Sequence, residues 1–237
     1  MQFDEDFNLS PKEVKKLIQY EDNHLLVVEK PVGMLSQSER GDRKDDLLSV
    51  CRKYLKVSQN KEGEAYIGLV HRLDRPVGGL IVFAKTSKAA SRLSSQIRER
   101  KVKKVYTAIL SDTITDLAGE LKGFLLKDKK TRKAQVKNRS FSEAKPVSLE
   151  YKVVRMFGPN SIVRVLLHTG RFHQIRAQFA HKGFPLMGDK KYGSQKKFPP
   201  GGIALYATEL SFSHPTTKEE MTFKVTPPWP QIPIKNL

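Results

Sequence analysis

The alternation of apolar and polar positions divides the chain into short helices and strands. Ser10 precedes Pro11, and Glu13 follows three positions after Ser10. This reciprocal capping signature starts a helix whose apolar stripe is Val14, Leu17 and Ile18. His24 to Glu29 (HLLVVE) reads as a buried strand ending at Lys30-Pro31. From about Asp46 to Leu55, the residues Leu47, Leu48, Cys51, Tyr54 and Leu55 fall on one helical face. Short strands at Ile67 to Val70 and Leu80 to Ala84 bracket a turn. Thr86 or Ser87 caps a helix carrying Ala89, Ala90, Leu93 and Ile97.

A basic stretch from Arg98 to Lys104 leads into a strand, Val105 to Leu110. Lys127 to Arg139, rich in Lys and Arg, reads as an exposed connection or ribbon edge. Val147, Leu149, Tyr151 and Val153 alternate as a half-buried strand does. Ile162 to His168 is a further strand, and Phe172 to Lys182 a helix closed by Gly183. Strands around Ile203 to Ala207 and Met221 to Val225 follow. With no internal repeat and no clear linker, the pattern predicts an α+β fold on a mixed, largely antiparallel sheet. A single domain over 21–237 would follow an extension, 1–20, that carries the first helix.

Charge adds a partner to this picture. Lys and Arg number 43 against 25 Asp and Glu, a formal +18. Such an excess points to a polyanion, and nucleic acid is favoured over an anionic membrane because no Lys-rich amphipathic stretch backed by Trp or Phe stands out. The one cysteine, Cys51, excludes an internal disulfide and a cysteine metal cluster. The acidic start, MQFDEDFNLSPKEV, lacks a signal peptide's apolar run, and no stretch is long enough to span a bilayer. A soluble cytoplasmic protein is expected.

Two clusters carry candidate chemistry. Asp74 lies between Arg72 and Arg75, with His71 beside them, in the turn between two strand-like runs. Neighbouring cations favour its ionised form, which suits a nucleophile or an electrostatic stabiliser. A local salt-bridge knot shaping the turn is the alternative. The second cluster is Thr169-Gly170-Arg171-Phe172-His173-Gln174-Ile175-Arg176, at a strand-to-helix turn. Its backbone N–H groups and Arg171 suit a phosphate or carboxylate, and Arg176 is placed to reach an acidic partner. An ordinary surface arginine is equally consistent with the spacing. His168, His173 and His181 fit no zinc spacing, so structural or RNA-facing roles are preferred and no metal is expected. Neither a P-loop, a dinucleotide fingerprint nor a Gly-x-Ser-x-Gly elbow is present. Tyr106, after Lys103 and Lys104, faces either a cleft or the core.

HRLDR followed by GLIVFAK, then KKVYTAIL, then TGRFHQIRAQFAHKGFPLMGDKKYG, resembles the RluA branch of the pseudouridine synthases. The similarity runs from about His24 to about Pro215. It implies a pseudouridine synthase fold of two half-domains flanking a basic catalytic cleft, acting on ribosomal or transfer RNA without metal or organic cofactor; a monomer is expected. Asp74 matches the catalytic aspartate, Tyr106 the tyrosine under the target base, and Arg176 the arginine that pairs with the aspartate. Arg72 matches the arginine that fills the gap left by a flipped nucleotide, since the scissile bond is inaccessible in a stacked helix. His71, Arg75, Lys85 (closing GLIVFAK), Arg171, His173 and Gln174 join Arg72 as RNA-binding candidates.

Two departures stand out. Pro76-Val77-Gly78-Gly79 replaces the usual continuation with Thr-Ser-Gly, removing two hydroxyls near the nucleophile. Phe172 stands where the family motif carries Thr, and the bulkier ring bears on substrate fit. Relatives often add an N-terminal S4-type RNA-binding domain, which is not expected here. Two rival readings remain: an inactive RNA-binding protein on the same fold, and a metal-dependent nuclease using Asp74 and Asp189. Retention of Asp74, Tyr106 and Arg176 together argues against the first. The cationic surroundings of those two carboxylates argue against the second.

Overall fold

A computed structural model describes residues 9–38, 46–60, 62–198 and 201–229. The chain forms two compact units. One comprises the residues up to Val102 together with Glu209–Val225, the other Lys103–Thr208 and the residues from Thr226 on.

In the first unit, helix α1 (Pro11–Leu17) begins on the anticipated reciprocal cap: the Ser10 hydroxyl accepts from the Glu13 amide, and the Glu13 carboxylate accepts from the Ser10 amide. Ile18 does not extend the helix; it opens β1 (Ile18–Glu21), pairing with Val28 of β2 (Leu25–Lys30). Helix α2 (Leu47–Ser58) starts on the Asp46 carboxylate, and α3 (Ser87–Arg98) on the Thr86 hydroxyl. β2 lies antiparallel to β4 (Gly78–Ala84), and the short β3 (Gly68–Leu69) pairs with β4.

The β2 and β4 side chains divide by alternation. Leu26, Val28, Ile81 and Phe83 pack with Val14, Leu47, Cys51 and Leu55 from the helices. Leu25, Val27, Leu80, Val82 and Ala84 pack on the other face with Ala89 and Leu93 of α3. Both faces are covered, which is why these strands read as unbroken apolar runs rather than alternating ones. A fully buried side chain such as Phe83 contributes roughly 1.5–3 kcal/mol by removal from water. Val14 of α1 sits fully buried in that core.

In the second unit β5 (Lys103–Leu110), β9 (Asn160–Leu167), β8 (Lys145–Phe157), β6 (Ala118–Asp128) and β7 (Lys133–Lys137) pair antiparallel in that order. The basic stretch 127–139 is therefore a ribbon edge, the β6–β7 hairpin. Asp128 closes its turn by accepting from the amides of Lys130 and Thr131. Leu125, Ala134 and Val136 face inward while Lys127, Lys133, Gln135 and Lys137 face water.

Helix α4 (Gln174–His181) starts later than the sequence pattern suggests, because His173 adopts φ 53° and ψ 24°, a left-handed conformation that ends the preceding turn. Gly183 closes it at φ 92°: its amide reaches the Ala180 carbonyl, and the Phe184 amide reaches that of Phe179. β10 (Leu205–Ser213) belongs by its first half to the second unit; its second half pairs with β11 (Glu220–Lys224) in the first. Of the Pro-rich tail, Pro227 to Trp229 are described. Trp229 is buried edge-on against Phe198 and Tyr206 at 5.3 and 6.2 Å. Pro230 to Pro233 lie outside the described residues.

Candidate active site

In the first unit Asp74 is partly buried on the loop that precedes β4, and that loop is held on both sides. Before it, the buried Ser36 hydroxyl donates to the Leu73 carbonyl at 2.9 Å and accepts from the Leu73 amide at 3.1 Å. After it, the Gly33 amide donates to the Arg75 carbonyl at 2.9 Å, and Arg75 Nε returns a bond to the Gly33 carbonyl at 2.9 Å. The Val77 amide reaches the Asp74 carbonyl at 3.0 Å and tightens the turn. Gly33 sits at φ 89°, a conformation that glycine adopts without strain.

Lys30 is fully buried at the end of β2, where its ammonium donates to the carbonyls of Pro31, Met34 and Arg75 at 2.9, 2.7 and 3.3 Å. Burial pushes this amine down to about 7, while the negative charge of Asp74 pulls it back up. The segment Lys30–Ser36 thus frames the loop that carries Asp74. The sequence reading did not single out Lys30, Gly33 or Ser36. A lysine at a strand end reads as solvated, and the available signal was the Pro-Val-Gly turn that follows it.

The neighbours of Asp74 differ in placement. Arg72 is exposed. His71 is partly buried, and its Nε2 accepts from the Val82 amide at 3.1 Å. The Lys85 side chain is 7% exposed, and its ammonium sits 2.7 Å from Glu21, whose other oxygen accepts from the Tyr54 hydroxyl. That charge serves the fold.

In the second unit Tyr106 is buried in β5, opposite Val165. Arg176 is buried on α4. Its Nε and Nη2 donate to the two oxygens of Asp189 at 2.7 and 2.9 Å, a two-point pair with side chains 6% and 1% exposed. Asp189 is thereby a partner for Arg176.

Gln174 lies buried at the start of α4. Its buried amide accepts from the Thr169 hydroxyl and the Arg171 amide, and donates to the Ser148 carbonyl and to Gln178. It therefore fixes the turn from inside. Arg171 is exposed. The histidines have separate partners: His168 with Glu150 at 2.9 Å, His173 with Tyr192 at 2.9 Å, and His181 with Asn138 at 3.2 Å. Burial, followed by the charges of Arg176, Lys191 and Lys127, pushes His173 down to about 3, so its ring is neutral. Among the described residues no cluster of His, Cys, Asp or Glu is arranged to hold a metal ion.

This fold is shared with human RNA pseudouridylate synthase domain containing 4, which superposes with a TM-score of 0.76 over 91% of this chain and 90% of that one at 21% identity. The class is that of the pseudouridylate synthases. The profile of the RNA pseudouridylate synthase family matches residues 24–181, so the chain belongs to that family and is an isomerase acting on RNA. An uncharacterized RNA pseudouridine synthase of Bacillus subtilis, YlyB, is 34% identical over 211 residues, 89% of this chain and 69% of the relative. The ribosomal large subunit pseudouridine synthase D of Pseudomonas aeruginosa is 31% identical over 226 residues, 90% of this chain and 68% of the relative. No described helix is long and apolar enough to cross a membrane.

Proposed function

We propose that the chain converts uridines of ribosomal or transfer RNA to pseudouridine, with Asp74 as the nucleophile. The observation that carries this reading is the double restraint on the Asp74 loop, with Ser36 on one side and Gly33 and Lys30 on the other. A carboxylate that must meet one carbon of a flipped nucleotide needs such a fixed backbone, since near-attack geometry supplies much of the rate. The large-subunit name of the Pseudomonas aeruginosa relative favours ribosomal RNA as the first substrate to test.

In this reading the Asp74 carboxylate attacks C1′ of the ribose, or the uracil ring, as the C1′–N1 bond breaks. The freed base turns, and C5 bonds to C1′ as the aspartate leaves. N1 gains a proton and C5 loses one. The reaction is redox-neutral and conserves every atom of the uridine, so its balance calls for no metal or organic cofactor. Tyr106 takes the place beneath the base and Arg176 that of the aspartate's counter-ion, the roles the family resemblance assigns. Arg72, exposed beside Asp74, fills the gap left in the RNA. Arg171 and the cations of the β6–β7 hairpin hold phosphates.

The test is to incubate unmodified transcripts of ribosomal and transfer RNA with the protein in EDTA, beside Asp74→Asn, and to map pseudouridine. Conversion that withstands EDTA and is abolished in Asp74→Asn, while RNA binding survives, is expected. Absence of conversion on every cellular RNA overturns the proposal in favour of an RNA-binding protein on the same fold. Cleavage lost on chelation overturns it in favour of a nuclease.

A further inference from the structure

Beside α4 the second unit carries an arrangement that the isomerisation chemistry does not use. Phe172 and His173 stack with centroids 3.7 Å apart and planes 20° apart. His173, a non-glycine residue at φ 53°, is held in that left-handed conformation with its Nδ1 on the Tyr192 hydroxyl, which also accepts from the Ala134 amide of β7 at 2.7 Å. Strained backbone persists where its surroundings enforce it, and such places concentrate at ligand sites. The exposed Lys127 holds its ammonium 4.6 Å over the Phe172 ring.

The charge around this stack is one-sided. Burial, and then the charges of Arg176, Lys133 and Arg132, lower the Lys191 ammonium, with Asp189 opposing. Asp189 is itself committed to Arg176. Lys127 lies over the stack, the charges of Lys127 and Lys191 act on His173, and Arg132 and Lys133 act on Lys191, while Asp189 already has its partner. Crowding of like charges costs free energy in the unliganded protein, and a polyanion relieves it.

We infer that Phe172 is the stacking seat for an unpaired nucleotide of the RNA, its base replacing the Lys127 ammonium on the ring and the adjacent lysines holding its phosphates. An exposed lysine on a flexible stem is readily displaced, and an aromatic face fringed by cations is the combination that binds single-stranded nucleic acid. Threonine, the residue that the family pattern carries here, has no such face. This inference deepens the function proposed above and rests on it in taking RNA as the occupant.

The test is the binding of two labelled probes, a decacytidylate and an abasic oligomer of equal phosphate number. Neither offers a uridine to the isomerising site. Phe172→Ala should weaken decacytidylate about tenfold, the order expected for one stacked base, and leave the abasic probe within about twofold. Lys127→Ala and Lys191→Ala should each weaken both probes and lower the salt slope by about one. Phe172→Trp should restore the base-dependent affinity. Where Phe172→Ala loses its fold, Phe172→Leu keeps an apolar side chain without a π-face and decides the matter. Unchanged decacytidylate binding in a folded variant, or equal loss of both probes, overturns the inference. Because the assay involves no turnover, a failed conversion assay with intact base-dependent binding refutes the proposed function alone. Conversion by a protein in which Phe172→Ala leaves binding unchanged refutes this inference alone.

Discussion

Replacing Asp189 by alanine isolates the energetics of the buried pair with Arg176. Both side chains are almost wholly removed from water, and two donors of the guanidinium lie at 2.7 and 2.9 Å from the two carboxylate oxygens. Removing the carboxylate takes a two-point buried partner, and its charge, away from the guanidinium. That situation costs about 3–5 kcal/mol, far beyond the ~0.2–1 kcal/mol of an exposed pair. For a protein of this size, each kcal/mol shifts the melting midpoint by about 2–4 °C, so Asp189→Ala should melt about 6–20 °C lower. The assay is thermal and urea unfolding followed by circular dichroism. Arg176→Met/Asp189→Leu should be less destabilised than Asp189→Ala, because it removes the buried guanidinium together with the carboxylate. A loss under about 1 kcal/mol in Asp189→Ala, or a double variant worse than the single one, would refute the reasoning. Pseudouridine formation should stay absent in the double variant even where stability recovers, since Arg176 is the proposed counter-ion of Asp74.

Three further outcomes follow from the same structure. Ser36→Ala removes the hydroxyl that serves both the carbonyl and the amide of Leu73; urea unfolding should show a loss of about 2–4 kcal/mol and steady-state assays a kcat lower by about ten- to a hundredfold, whereas an unchanged kcat would show that the restraint is dispensable. Lys30 titrates at about 7 in the folded protein because burial lowers it, and near ~10.4 when unfolded. Between those values the unfolded chain holds the extra proton, so this residue makes stability rise with pH by up to about 1.4 kcal/mol per unit, and is without slope below pH ~7. Lys30→Met should remove that rise, and parallel stability profiles from pH 6 to 10 would contradict it. The His173 ring, lowered to about 3 by burial and by the cations around it, should show no titration between pH ~5 and ~8 in its NMR ring-nitrogen shifts, and a midpoint near pH ~6 would sink that assignment.

Much of this architecture was legible in the sequence, for reasons that can be located. The Ser10–Glu13 cap is a local interaction and reads directly. The β2 and β4 runs are legible because both faces are covered, leaving no polar interruption. Strand β6 was not read from the sequence: its partly buried positions alternate weakly, and glycines interrupt it. The beginning of α4 misled because the helical spacing of Phe172 continues through a residue whose backbone is left-handed. At the site, Asp74 and Arg176 stood out through their surroundings and the family pattern. The partners that hold them did not, since Ser36 meets Leu73 across 37 positions and Asp189 meets Arg176 across 13. Lys85 and Gln174 are polar residues turned inward by acceptors and donors that sequence spacing does not reveal.

The framing of the Asp74 loop bears on how the first unit loses its activity. Lys30 faces Gly79 in the β2–β4 register, so the framing segment and the loop leave the sheet at the same place. The amides of Gly33, Leu73 and Val77 are donors within that frame. They should exchange with solvent deuterium at the slow rate of the β2 and β4 amides, since freeing the loop requires the strands beneath it to part. Heat should then abolish turnover and secondary structure at a single temperature, without an earlier step in which the nucleophile alone comes loose.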